Sequence, residues 1–120
     1  MASTADLIKT AIERFQAEVP ALAKLKLVFG LELKAHHDIQ LYRVVLPGLE
    51  ITKGLEQDER VLVQIDRPQF NALAEKGTLK SYRRAVETGH IKATGDSNVV
   101  KLVAQVVERQ EQRLRLKKVH

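Results

Sequence analysis

The apolar positions along this chain change period several times, and each change marks an element. Over residues 3–19, Leu7, Ile8, Ala11, Ile12, Phe15 and Val19 recur three and four apart, giving the single apolar stripe of an amphipathic helix. Ser3 with Asp6 supplies a capping pattern at its start, and Pro20 supplies a stop. From residue 24 to 34 the period becomes two. Leu25, Leu27, Phe29, Leu31 and Leu33 fall on one side, and Lys24, Lys26, Gly30, Glu32 and Lys34 on the other. That alternation predicts a long strand that covers a core with one face. Ala35-His36-His37-Asp38 reads as a turn. Strands over 39–46 and 49–53 follow, separated by Pro47-Gly48 and closed by Gly54. After the charged Gln57-Asp58-Glu59, residues 60–65 predict a fourth strand. Short connections between successive strands predict an antiparallel meander.

At Asp66 the period turns helical again. Asp66 is placed to accept a backbone amide, Pro68 suits a first turn, and Gln69 completes a capping box. Phe70, Leu73 and Ala74 form the stripe expected to be buried, and Gly77 the end. Thr78 begins a short second helix whose apolar side is Leu79, Tyr82 and Val86, closed by Gly89. Residues 90–94 predict a fifth strand, and Gly95-Asp96 opens a final helix capped by Asp96 or Ser97. The expected fold class is α+β: a five-stranded, mostly antiparallel sheet with helices packed on one face. A single domain is expected over residues 1–120, with its core at about 7–107 and a basic helix end at 108–120.

The final helix carries more apolar surface than that architecture needs. Over residues 99–107 only Lys101 and Gln105 are polar. A helix lying on one sheet needs roughly a third to a half of its circumference apolar. The excess must meet the first helix, a partner subunit, or a bound apolar ligand.

Composition narrows the chemistry. The chain has 120 residues, 44% hydrophobic and 29% charged, the balance of a globular domain. No run of about eighteen apolar residues is available to span a membrane. The first residues lack a secretory pattern and Lys118-Val119-His120 is no peroxisomal address, so a cytoplasmic location is expected. With no cysteine, disulfides, thiolate metal sites and thiol nucleophiles are excluded. Adjacent His36 and His37 point to opposite sides of an extended chain, so no metal site is expected. Ser3, Ser81 and Ser97 sit at helix starts, where capping explains them. There is no nucleophile elbow and no glycine-rich phosphate loop, so neither catalytic residues nor a cofactor are expected.

Of the net charge of +5, residues 109–120 carry +4, from Arg109, Arg113, Arg115, Lys117 and Lys118 against Glu111. The body is close to neutral. Lys80, Arg83 and Arg84 form a second, smaller basic patch that reads as a solvated helix face. Aromatic residues are 4% and none lies in the basic end, so base stacking has no platform and nucleic acid is not an expected partner. The basic end is instead suited to transient contact with an anionic membrane surface.

From the fourth strand onward the chain resembles the sterol carrier protein type 2 family of small lipid-binding domains. The residues that carry the resemblance are Arg60-Val-Leu-Val-Gln-Ile-Asp-Arg-Pro-Gln-Phe70-Asn-Ala-Leu73-Ala-Glu-Lys-Gly77, then Gly89-His90-Ile91-Lys92-Ala93-Thr94-Gly95-Asp96 and the apolar helix after it. Residues 27–54, with Tyr42 in the second strand, are similar to the family's first strands. The likeness covers about residues 7–107, and Gly95-Asp96 is its most specific part. It implies an apolar tunnel between sheet and helices that accommodates a sterol, fatty acyl chain, phospholipid or isoprenoid, with no covalent chemistry. The ligand-facing layer is then expected to include Leu27, Phe29, Leu31, Phe70, Leu73, Tyr82, Val86, Val99, Val103 and Val106. The alternative expectation is a protein-interaction module, in which the final helix pairs two copies of the chain as a homodimer and no cavity exists.

Overall fold

A reciprocal cap opens the first helix, α1 (Thr4–Glu18). The Asp6 amide donates to the Ser3 hydroxyl at 3.1 Å, and the Ser3 amide donates to the Asp6 carboxylate at 3.3 Å. The computed structural model describes residues 3–119, with side chains through residue 116. Pro20 ends α1 and begins a 3-10 turn, Pro20–Lys24, so the first strand starts later than the alternation suggests. The strands are β1 (Leu27–Ala35), β2 (Asp38–Leu46), β3 (Glu50–Lys53), β4 (Val61–Asp66) and β5 (Ile91–Gly95). The remaining helices are α2 (Arg67–Lys76), α3 (Leu79–Glu87) and α4 (Ser97–Val119).

The fold is α+β with a five-stranded sheet in the order β3-β2-β1-β4-β5. β1, β2 and β3 are the expected antiparallel run. The fourth strand departs from the meander. β4 lies parallel to β1, with Val61 opposite Phe29 and Ile65 opposite Leu33, and β5 pairs antiparallel on its other side. The sheet is therefore mixed.

The cause lies in residues 54–60, which cross the far face of the sheet instead of turning back beside β3. The Gly54 amide donates to the Leu41 carbonyl at 2.7 Å, and the Arg60 amide to the Val28 carbonyl at 2.8 Å. Between them the Arg43 guanidinium donates to both carboxylate oxygens of Asp58 and lies 3.7 Å from Glu59. Gly30 leaves room for the crossing, because a Cβ there would meet Leu55 at 3.0 Å. The strap carries the chain past β2 and β1, and β4 adds to the far edge of β1.

The opposite face holds the main core. Leu31, Leu33, Tyr42, Val44 and Ile65 from the sheet pack with Ile8 and Ala11 of α1, Phe70, Leu73 and Ala74 of α2, and Ala85 of α3. Two local expectations differ here. Asp66 occupies the N-cap of α2, but its side chain makes no capping hydrogen bond, so the expected capping box does not form. In α3 the buried positions are Leu79 and Ala85, and Val86 is 57% exposed. The short helix meets its neighbours along the three-residue steps 79, 82 and 85, which leaves Val86 on the solvent side. Gly77 does end α2, and for a steric reason: a Cβ there would run into the Leu73 carbonyl oxygen.

A second, smaller cluster gathers Val19, Leu22 and Leu79, with Phe15, Leu25, Val103, Val106 and Val107 half-buried around it. Here α4 reaches the body. Part of its excess apolar surface is covered by the end of α1, the 3-10 turn and the start of α3. Arg83 reinforces this seam, donating to Glu111 at 2.7 Å and to Glu87 at 3.1 Å. Among the described residues no helix is long and apolar enough to cross a membrane.

Candidate functional site: an apolar groove at the end of the sheet

The turn from β5 into α4 sets the site. Gly95 has φ +126°, in the region that favours glycine, and a Cβ on it would strike the Arg60 backbone. Asp96 follows. Its carboxylate accepts the Asn98 amide at 3.0 Å and the Arg60 guanidinium at 3.1 Å. The Arg60 hydrogen bond, then the Asn98 amide, holds the Asp96 carboxyl below its ordinary range. Asp96 is thus the cap of α4, and it ties the helix start to the chain entering β4. The role of Gly95-Asp96 is therefore structural, since the pair aims α4 across the end of the sheet.

That placement leaves a groove of about 450 Å³ between α4 and the sheet end. Its walls are Leu25, Leu27 and Val28 where β1 begins, Leu46 and Pro47 where β2 ends, and Val99 and Leu102 from α4. Its rim is charged, with Lys26, Asp58 and Arg60. Two of these three are already engaged, Asp58 by Arg43 and Arg60 by Asp96. The Arg43 hydrogen bond holds the Asp58 carboxyl well down, at about 2. Most of the rim charge is therefore paired within the fold, and the floor is hydrocarbon.

The ten residues expected in a ligand-facing layer separate into four groups. Leu27 and Val99 line the groove. Leu31, Phe70 and Leu73 are buried in the main core, with Phe29 and Tyr82 half-buried against it. Tyr82 meets Phe15 edge to face at 5.2 Å between ring centres, and its hydroxyl donates to the Leu73 carbonyl at 3.3 Å. Burial raises its pKa. Val103 and Val106 rest on the smaller cluster, and Val86 faces solvent. The resemblance implies a tunnel beneath the helices, and the apolar opening lined by Leu27 and Val99 is a groove beside the main core cluster.

Leu25, Val28, Leu46, Pro47 and Leu102 are site residues that the sequence pattern does not single out. Leu102 alone carries a signal, being part of the all-round apolar run of residues 99–107. The others become neighbours only through the sheet register. A second opening of about 390 Å³ lies at the opposite end of β1, lined by Lys34, Ala35, His36, Asp66, Arg67 and Pro68. Four of its six lining residues, Lys34, His36, Asp66 and Arg67, carry polar or charged side chains. His36 and His37 are exposed, with ring centres 4.3 Å apart, and no group of three metal-ligating side chains occurs among the described residues. At the basic end, Arg109, Arg113 and Arg115 are exposed on α4, whereas the side chains of Lys117 and Lys118 lie outside the described residues.

The sequence matches no protein-family model and no curated protein. The fold does have solved relatives. The palmitated sterol carrier protein 2-like 2 of Aedes aegypti superposes with a TM-score of 0.59 at 26% identity, over 83% of this chain and 93% of that one. A crystal structure of the same Aedes aegypti protein gives 0.57 at 26% identity, over 85% and 94%. The sterol carrier protein domain 2 of Helicoverpa armigera gives 0.60 at 13% identity, over 91% and 92%, a likeness of fold alone. With the mixed five-stranded sheet, the helices on one face and the Gly95-Asp96 turn into α4, these superpositions show that the chain has the sterol carrier protein 2-like fold.

Proposed function

We propose that this protein binds one apolar, lipid-like molecule in the groove between the sheet end and α4, and carries or presents it without changing it covalently. The observation that carries the reading is the groove itself: an open floor of Leu25, Leu27, Val28, Leu46, Val99 and Leu102 at the end of the sheet. Its volume of about 450 Å³ lies in the range of small-molecule sites, roughly 300–1,000 Å³. The solved relative in palmitated form supports an acyl chain as one suitable occupant, and sterol, phospholipid and isoprenoid tails are the other apolar classes that the family resemblance implies. Two of the three serine hydroxyls serve the fold. Ser3 caps α1 and Ser81 shares a hydrogen bond with Thr78 at 3.0 Å.

Titration with a fluorescent fatty acid, displaced by saturated fatty acids of increasing length, tests this reading. Each methylene removed from water contributes about 0.8 kcal/mol, so affinity rises roughly fourfold per carbon until the groove is full. Leu102→Asp, at a position 45% exposed, abolishes saturable binding and leaves the melting temperature near that of the wild type. Absence of a saturable site in the wild-type protein, or affinity independent of chain length, overturns the proposal. A dimer in solution that Leu102→Asp dissociates would instead favour the interaction-module reading.

A further inference from the structure

The second opening, at the other end of β1, shares no residue with the groove. Its volume of about 390 Å³ also falls within the roughly 300–1,000 Å³ of small-molecule sites. Arg67, half-buried, is its most constrained member. The guanidinium donates to Asn71 Oδ1 at 3.1 Å, to Gln40 Oε1 at 2.7 Å and to Thr4 Oγ1 at 2.9 Å. Residues of α2, β2 and α1 thus fix its plane. All three acceptors are neutral, and Arg67 makes no ion pair among the described residues. A cation taken partly out of water is ordinarily matched by an anion. Here the fold orients the cation and supplies no anion, and a guanidinium has more N–H donors than these bonds use.

The rest of the lining sets the kind of anion. Lys34 is loosely held: its ammonium lies 3.8 Å from Glu32 Oε2, an oxygen that already accepts Gln64 at 2.7 Å. His36 is exposed and brings a ring nitrogen. Asp66 is the one acid of the lining, and it makes neither a capping hydrogen bond nor an ion pair among the described residues. A carboxylate beside a cationic fork repels a bare anion but accepts a hydrogen bond from an anion that keeps a proton. We propose that this opening binds the phosphate group of a small soluble monoester. Arg67 and Lys34 meet its charged oxygens, and Asp66 accepts the proton that the phosphate retains. The inference goes beyond the groove reading and does not depend on the groove being filled.

NMR titration of the isotope-labelled protein with glycerol 3-phosphate and with sulfate tests it, at equal ionic strength and about pH 6, where a phosphate monoester is half protonated. Glycerol 3-phosphate shifts the amides of residues 34–36, 66 and 67 saturably. Sulfate, which carries no proton, binds roughly tenfold more weakly, the loss of one hydrogen bond to a charged group. D66N, at an exposed position, binds the two alike. R67K keeps the charge but not the planar fork, and it lowers glycerol 3-phosphate affinity roughly tenfold. Because Arg67 also ties three elements together, K34E at an exposed position gives the same readout in a chain that keeps its melting temperature. Unchanged affinity in K34E overturns the proposal, as does the lack of a saturable site in the wild type. Sulfate binding as tightly as glycerol 3-phosphate overturns the role of Asp66. Flotation with phosphatidic acid vesicles, lost in K34E and without binding of glycerol 3-phosphate, would overturn the soluble source in favour of a lipid head group. Fatty-acid titration of K34E gives wild-type affinity, so failure here and failure of the groove are read separately.

Discussion

The layer that α1 and α2 make over the sheet and the end where α4 lies use the same aliphatic residues, yet they pack to different degrees. In the first, Ile8, Leu33 and Val44 are sealed from water, with Phe70, Leu73 and Ala74 closing over them. In the second, Val103, Val106 and Val107 are only half-buried on Val19, Leu22 and Leu79, and Leu102 is left over the groove. The strands of the first region are held by a continuous ladder from β3 to β5. The second is held by one capped turn, one ion-paired seam and a small cluster. Hydrophobicity alone therefore does not mark a core. A core needs partners on every side, and α4 has them on one side only, which is the condition under which a ligand can supply the rest.

Substitutions in the two regions put that contrast at risk. The largest effect belongs to the filled layer. Phe70→Ala removes a buried ring, 6% exposed, and is expected to cost roughly 3–5 kcal/mol, lowering the melting temperature by about 10 °C or more. A melting temperature within a degree or two of wild type would mean that α2 does not seal the core. Val103→Ala in the half-buried seam should cost only about 1 kcal/mol, since its neighbours are already partly wet. A loss as large as that of Phe70→Ala would erase the distinction between the regions. Thermal unfolding monitored by circular dichroism measures both.

The smallest effect is expected at the strap of residues 54–60. The Arg43 hydrogen bond lowers the Asp58 carboxyl from 3.8 to about 2. A carboxyl with a depressed pKa contributes stability above its unfolded value, and the contribution is lost as pH falls through the folded value. The melting-temperature gap between wild type and Asp58→Asn should therefore be constant from neutral pH down to about 4 and close as pH approaches 2. Because the group lies in water, the gap itself should be small. A gap that closes between pH 7 and 5 would contradict the pairing.

Much of the fold is legible in the sequence because it is local. The Ser3–Asp6 cap, the alternation from Leu25 to Leu33, the stripe of Phe70, Leu73 and Ala74, and the Gly95-Asp96 turn each lie within one element or one turn. Local signals fail where neighbours settle a weak choice. Asp66 could cap α2 and does not, and Val86 could face inward but Ala85 does. The ten residues expected to face a ligand share one property, an apolar side chain on an inward face. Leu31 in the core and Leu27 at the groove both have it, and periodicity cannot tell them apart.

The order and type of the elements, the concentration of charge at the end of α4, and the surplus of apolar surface over residues 99–107 are all written in the sequence. Each is set by spacing of a few residues, where backbone geometry dictates which side chains share a face. The parallel pairing of β4 with β1, the meeting of Arg43 with Asp58 and of Arg60 with Asp96, and the enclosure of one groove by Leu27, Pro47, Val99 and Leu102 belong to the tertiary structure alone. Those contacts join residues far apart in the chain. Their formation depends on which edge a strand finds and which face a strap crosses, a competition among whole packed arrangements that no short pattern encodes.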